Sequence, residues 1–331
     1  MAGVSTPKLA ASVSNAGGLG MLGIGSSKAN NARKMILETR KLTQRPFGVN
    51  VFCHNPPIRD PIREEQWLRY LNPLFESLGT KRPAGMEEPY KSFLQDRTML
   101  ETLLELRPDV VTFHFGVPPP DTVRMLREVG IYTMGTATNI QEALVVQKFG
   151  IDSIVAQGIE AGGHRGKFDP NVKDEQWSTM VLVRMLAQEM KIPIVAAGGI
   201  MDGHIAKAMM NVGASAVQLG TAYILCPESG ANDGYREDLK SARNQSTHCT
   251  SAFSGRPARS ITNDFIRYCS TLDTPPTAAY PLAYDVSKRL HAAEPKGQYK
   301  YAPHWAGQGA PLAREMGAGD LTKLIAQEMG F

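Results

Sequence analysis

No stretch of this 331-residue sequence stays apolar for the roughly 18 residues that a membrane-spanning helix needs, so no such span is expected. The first residues have neither the charged region nor the continuous apolar run of a secretory signal, and the chain is expected to be cytoplasmic. Cysteine is scarce. Cys53, Cys226, Cys249 and Cys269 show no CxxC or other metal-ligand spacing, which argues against a disulfide framework and against a bound metal. Charge of one sign is also scarce: 36 Lys and Arg oppose 32 Asp and Glu, a net of +4, with no basic cluster interleaved with aromatics. That excludes a nucleic-acid binder and leaves a mild pull on small anions. There is no P-loop, HExxH, paired-carboxylate arrangement or Ser-His-Asp order. Nor does a GxGxxG follow a strand with an acidic partner on the next, so a Rossmann-type nicotinamide site finds no support.

What is present is an alternation. Short β-rich apolar runs at 19–24, 47–52, 110–115, 132–136, 153–157, 194–197 and 216–219 are separated by longer helical patterns. They are continuous runs, as expected for parallel strands covered on both faces. Helix signals fall between them. Thr6-Pro7 and Ser178 are start signals, Thr138-x-x-Gln141 has capping-box spacing, and Asp202-Gly203 leads into 205–212. The length suits a (β/α)8 TIM barrel as a single domain spanning residues 1–331. Two segments break the beat: 54–97, with a helix-like piece at 64–78, and 227–279. They read as insertions, followed by a helical C-terminal segment at 280–331. Long insertions in a barrel usually build the site.

Three glycine-rich turns end predicted strands: Gln157 to Gly166, Ala197-Gly198-Gly199-Ile200, and Gln218-Leu219-Gly220-Thr221. The last two follow successive final strands, where barrels often cradle phosphate with loop amides. Each taken alone also fits a plain strand-to-helix turn. His164 sits in the first turn, and an imidazole suits proton removal near neutrality. His114, at the end of another strand, fits either the same mouth or a core imidazole bonded to a carbonyl. Tyr280, Tyr284 and Lys288, at four-residue steps after Tyr280-Pro281, share one helix face. That face fits either a solvated surface or two phenols and an ammonium around an anion.

The blocks Met1-Ala2-Gly3-Val4-Ser5-Thr6-Pro7, Asn15-Ala16-Gly17-Gly18-Leu19-Gly20, Glu160-Ala161-Gly162-Gly163-His164-Arg165-Gly166 and Ala197-Gly198-Gly199-Ile200 resemble the signature blocks of nitronate monooxygenases. The resemblance runs from the first residue to about Leu290. It implies FMN held at Ala2, Gly3, Asn50, Gln157, Gly162, Gly198, Gly199, Gln218, Leu219, Gly220 and Thr221. It also implies His164 as catalytic base, with His114, Tyr280, Tyr284 and Lys288 on the substrate side. The activity implied is oxidation of a small anionic nitronate by O2 to a carbonyl compound and nitrite, with propionate 3-nitronate the family's usual candidate. Family members begin with a short strand ahead of the Met-Ala-Gly segment, so the first strand is expected to be missing or truncated here. Two other readings stay open: NAD(P)H-dependent reduction of a quinone or enoyl thioester on the same flavin barrel, and a flavin or phosphate-ligand carrier without turnover.

Overall fold

In the computed structural model, which describes residues 1–331, every apolar run read as a strand forms one. In chain order the strands are β1 (Gly20–Gly23), β2 (Phe47–Phe52), β3 (Val110–His114), β4 (Tyr132–Ala137), β5 (Ser153–Gln157), β6 (Gly163–His164), β7 (Ile194–Ala197), β8 (Ala216–Gln218), β9 (Thr247–Thr250) and β10 (Ala258–Ile261). The helices are α1 (Pro7–Asn15), α2 (Ala29–Leu42), α3 (Pro61–Ser77), α4 (Arg97–Leu106), α5 (Pro120–Glu128), α6 (Ile140–Lys148), α7 (Thr179–Glu189), α8 (Gly203–Asn211), α9 (Asp233–Lys240), α10 (Asp264–Tyr268), α11 (Leu282–Ala292) and α12 (Ala318–Met329). None is long and apolar enough to cross a membrane.

Seven strands make one all-parallel curled sheet in the order β1-β2-β3-β4-β5-β7-β8, the succession of a β/α barrel. The outermost strands β1 and β8 are not hydrogen-bonded to each other, and Ala216 and Gln218 of β8 are exposed.

Alternation along each strand decides which residues can reach a ligand. Val49, Val51, Val111, Phe113, Ile154, Ala156, Ile194 and Ala196 point outward and share one core with Ile36, Leu103, Leu126, Val146, Leu182 and Met209 of the helices. The opposite parity forms a separate interior cluster of Val110, Met134, Val155, Val195 and Ala197. By the same parity Asn50, Thr112, His114, Thr136, Gln157 and Gln218 face the interior at the strands' C-terminal ends, where parallel barrels place their chemistry.

The start signals operate largely as read. Thr6 caps α1, Ser178 caps α7 and Asp202 caps α8 through side-chain acceptors. The box at Thr138 is shifted by one residue. Asn139 is the cap of α6, and it is Glu142 that reaches back to the Thr138 amide at 2.7 Å and hydroxyl at 2.8 Å.

Both insertions are structured. The first carries α3. The second carries α9, β9, β10 and α10, and β10 pairs antiparallel with both β6 and β9 in a three-stranded sheet. That sheet was not foreseen, because β6 is two residues long within a glycine loop. Trp67, Leu71 and Phe75 of α3 pack with Phe253, Phe265 and with Leu282, Val286 and Leu290 of α11 in a second core. The segment after residue 280 is only partly helical: α11 and α12 are separated by an extended stretch with one 3-10 turn, and α12 packs on α1 and α8. Pro281 precedes α11 as its cap and is not its first residue, so Tyr280 lies outside the helix that carries Tyr284 and Lys288. The four cysteines are unpaired.

Candidate active site

The glycine loop after β5 is held from three sides. Gln157 uses both ends of its amide on it, donating to the His164 carbonyl at 3.0 Å and accepting from the Gly166 amide at 2.7 Å. The buried Arg165 guanidinium donates to the Gln157 carbonyl and pairs with Asp174. The missing side chain of Gly166 matters: a Cβ there would lie 2.5 Å from Thr136 and 2.9 Å from the His114 ring. His114 therefore packs under the loop and hydrogen-bonds the His164 carbonyl through Nε2 at 3.2 Å. A carbonyl only accepts, so Nε2 carries the proton and Nδ1 accepts from Thr136 Oγ1 at 3.2 Å. Both nitrogens of His114 are thus engaged within the protein, at the C-terminal end of β3, one of them with a backbone carbonyl.

His164 itself is half-buried among Trp305, Phe115, Tyr280 and Tyr284, with ring centroids 5.2, 5.6, 5.6 and 6.3 Å away. Its Nε2 lies 2.8 Å from Ser254 Oγ, while Nδ1 makes no hydrogen bond to the protein. Burial, with further contributions from His114 and the Arg256 charge, pushes its pKa down to about 3. His164 is a neutral imidazole at pH 7.

Of the substrate-side residues, Tyr280 is buried and exchanges a 2.8 Å hydrogen bond with the Tyr90 hydroxyl. Tyr284 is half-buried beside it. Lys288 is exposed: its Nζ sits 4.7 Å above the Tyr284 ring, at the rim of the cluster. A buried cation packs against this cluster instead: Arg256, 3% exposed, donates to the carbonyls of Lys167 and Phe168. Its guanidinium lies 4.7 Å from the centre of the Phe115 ring and 5.4 Å from that of Tyr280; no carboxylate contacts it, and Asp169 and Glu142 act on its charge from farther off. Phe115 adopts φ 71°, a left-handed conformation uncommon for a bulky side chain, and its ring packs against both His114 and the Arg256 guanidinium.

Ser254, Arg256, Tyr90 and Trp305 are absent from the expectations. The signal available was Ser254-Gly255-Arg256-Pro257-Ala258-Arg259, a glycine between polar residues within an insertion. His54 had no motif context either. It is fully buried, stands edge-on to Tyr280 at 5.0 Å, and neither ring nitrogen has a partner.

The glycine ends of β7 and β8 supply the third part. Gly198 and Gly199 have φ of 124° and 70°, open to glycine and strained for other residues. The amides of Gly198, Gly199, Gly220, Thr221 and Ala222 donate to no acceptor in the protein. The chain at Gly307–Gly309 crosses these ends. The Gly307 amide donates to Thr221 Oγ1 at 3.0 Å, and a Cβ on Gly162 would lie 2.5 Å from the Gly307 nitrogen. Gln218 is exposed on the interior parity, whereas the Leu219 side chain packs into the core, so only its backbone faces the turn. At β1, Ala2 lies against Gly23, and Gly3 has φ 79° with open space where a side chain would be. Asn50 donates Nδ2 to Thr112 Oγ1 at 2.6 Å and leaves its carbonyl oxygen without a protein partner. The five unpartnered amides at the ends of β7 and β8 fit a phosphate, and the free amide carbonyl of Asn50 on the interior parity of β2 fits a hydrogen-bonding ring system.

Residues 1–328 match the sequence profile of the family described as nitronate monooxygenase. The chain belongs to the nitronate monooxygenase family. It is an oxidoreductase in a family of flavoenzymes. Among its relatives, the nitronate monooxygenase of Pseudomonas aeruginosa is 51% identical over 330 residues, covering 99% of this chain and 94% of that protein. That of Paraburkholderia phytofirmans is 49% identical, covering 99% and 90%. The nitroalkane oxidase of Streptomyces ansochromogenes superposes with a TM-score of 0.91 at 38% identity, covering 99% of this chain and 92% of that one. FabK from Thermotoga maritima superposes less closely, with a TM-score of 0.73 at 29% identity.

Proposed function

We propose that this chain oxidises small nitronate anions with O2, releasing nitrite and a carbonyl compound, and that its flavin is FMN. The observation that carries the reading is a neutral His164 with a free Nδ1, enclosed by Tyr280, Tyr284 and Trp305 beside a buried Arg256 that lacks a carboxylate partner. A small anion is the ligand such a site favours, because it neutralises the Arg256 charge without requiring a protein carboxylate.

The amides of Gly198, Gly199, Gly220 and Thr221 would hold the FMN phosphate, and Ala2, Gly3, Gly162 and the backbone at Gln218 and Leu219 would line its course. Asn50 would accept from the ring system, while Gln157 would serve mainly by fixing the loop that carries His164. When bound, the flavin supplies the acceptor for the substrate's electrons. The chain's own residues bind and orient. Tyr280 and Tyr284 offer hydroxyls toward the two nitro oxygens, Lys288 attracts anionic tails at the rim, and the aromatic enclosure limits water. For a neutral nitroalkane, His164 Nδ1 would take the α-proton; a preformed nitronate needs no such step. His114 would keep the His164 backbone in register.

An oxygen electrode tests the reading. Oxygen uptake with ethyl nitronate and with propionate 3-nitronate, unchanged by NADH, is the expected result, together with FMN and no FAD in the supernatant of heat-denatured protein. Rapid NADH oxidation without oxygen uptake on nitronates would favour quinone or enoyl reduction instead. A chain that binds flavin and turns over neither would be a carrier.

A further inference from the structure

His164 and the insertion between β8 and α11 meet at one hydrogen bond whose direction can be worked out. Ser254 Oγ is fully buried and has three neighbours: His164 Nε2 at 2.8 Å, the Arg256 carbonyl at 3.2 Å and the Arg256 amide at 3.3 Å. The amide can only donate, so it occupies one lone pair of the hydroxyl. The serine has a single proton for the other two neighbours.

If that proton went to Nε2, the Arg256 carbonyl would have no donor, since no other group in the protein bonds to it. Buried carbonyls are almost always partnered. If the proton goes to the carbonyl, Nε2–H donates to the second lone pair of Oγ and all three neighbours are satisfied. A chain then runs from His164 Nε2–H through Ser254 Oγ–H to the Arg256 carbonyl. The far end of the imidazole differs: Nδ1 has no protein partner and, unlike the two nitrogens of His54, is not sealed off.

We propose that Ser254 is a positioning residue that holds His164 in the Nε2–H tautomer, so that the Nδ1 lone pair faces the substrate. The geometry around Ser254 is built for this. Gly255 has φ 90°, and a Cβ there would lie 2.4 Å from the Ala278 carbonyl and 2.6 Å from the Tyr280 nitrogen, so the turn presses on the segment that presents Tyr280. Two residues beyond Arg256, Ala258 pairs directly with His164 across β10 and β6. The insertion thus fixes both the backbone and the ring of His164.

The catalytic consequence rests on the base role proposed above. The α-carbon–hydrogen bond of a neutral nitroalkane breaks, its electron pair moves into the nitro group to give the nitronate, and the proton bonds to Nδ1. The imidazolium keeps its Nε2–H bond to Ser254. In the opposite tautomer Nδ1 already carries hydrogen and cannot accept.

The test is 15N NMR of the holoenzyme labelled at histidine, with the His164 signals assigned by their loss in His164→Gln. The expected spectrum has a protonated Nε2 and an unprotonated Nδ1. In Ser254→Ala the Nε2–H would face a methyl group, and the Nδ1–H form should gain population. The same variant should lose about tenfold in kcat/KM with nitroethane, the cost of an unmet buried donor, while ethyl nitronate changes little. Ser254→Thr, which keeps the hydroxyl, should restore both readouts. An Nδ1–H tautomer in the wild type, or an unaltered tautomer in Ser254→Ala, overturns the proposal. Should Ser254→Ala not fold, the wild-type spectrum decides by itself. A wild type that ignores nitroethane would instead remove the base role and leave the tautomer result standing.

Discussion

Lys288→Met separates a rim charge from a buried one. The residue is exposed, and its ammonium rests 4.7 Å from the Tyr284 ring centre and 5.9 Å from that of Tyr90. A carboxylate tail of a nitronate held against Tyr284 would stand some 5–6 Å from the ammonium in a largely aqueous setting. Two unit charges at that separation gain about 0.7 kcal/mol in bulk water and about twice that where the rim halves the dielectric constant. The expected loss in kcat/KM for propionate 3-nitronate is therefore about three- to tenfold. A buried, hydrogen-bonded charge contact would instead cost about 1.5–3 kcal/mol, or roughly ten- to a hundredfold. Ethyl nitronate, with no tail charge, should change by less than about twofold, since an exposed side chain contributes little else. Because exposed charges are screened over about 10 Å at 0.1 M salt, the difference between the two substrates should shrink as salt rises. Initial rates of oxygen uptake, measured for both nitronates at low and high ionic strength, supply all four comparisons. Equal losses on both substrates, or a hundredfold loss indifferent to salt, would refute the rim placement.

Three further outcomes are expected. His164→Asn should lower kcat/KM for nitroethane by about 10²–10⁴-fold and that for ethyl nitronate far less, and equal losses would remove the base role. Gly199→Asp and Gly220→Asp put a carboxylate among amides that have no acceptor in the protein, so both should abolish flavin retention while the circular dichroism of the fold persists; undiminished binding in both would move the phosphate elsewhere. Burial pushes His54 and His114 down to about 4 and His164 to about 3, so all three stay neutral in the fold while the unfolded chain takes up protons below about pH 6.5. Stability should accordingly fall as pH drops from 6.5 toward 4, with up to about 1.4 kcal/mol per pH unit from each imidazole, and His54→Phe should flatten the slope by one proton's worth in urea melts across that range. An unchanged slope would count against a buried neutral His54.

The strands were legible because parallel barrel strands are buried on both faces, so Val49 to Val51, Val110 to Phe113 and Ile194 to Ala197 stand out as unbroken apolar runs. Strand parity then carries much of the site. Asn50, His114, Gln157 and Gln218 all fall on the interior parity near a strand's C-terminal end, a consequence of register that needs no long-range information. The rest depends on contacts far apart in the sequence. Ser254 reaches His164 across 90 residues and Gly307 reaches Thr221 across 86, and no local pattern encodes such pairings. The Tyr280, Tyr284 and Lys288 spacing was a helix argument, yet α11 begins after Tyr280. The cluster forms because Gly255 and the Tyr90 hydroxyl anchor Tyr280 from outside the helix.

The charge distribution favours one of the two substrate forms. Arg256 is buried with no carboxylate in contact, and its charge acts on the imidazoles of His54, His114 and His164 and the phenols of Tyr90 and Tyr280. A buried cation disfavours a second one nearby, so the Arg256 charge adds to burial in lowering His54, His114 and His164. Burial above all, with His114 and Arg256 adding to it, makes His164 a weak base. It gains strength only as negative charge develops on a nitro group beside it, since the new imidazolium and nitronate then stabilise each other. A preformed nitronate meets no such requirement: it arrives as the anion that Arg256 lacks, and no proton needs a home. On the proposed function, the electrostatics that would make His164 a reluctant base for nitroalkanes would favour nitronates, and kcat/KM should be larger for ethyl nitronate than for nitroethane. The gap should narrow in Arg256→Lys only if the geometry of the charge matters. In Arg256→Met, where one of the smaller causes lowering His164 is removed and the cation that attracts the nitronate is gone, it should narrow whatever the geometry, and an unchanged ratio of the two kcat/KM values would refute this account.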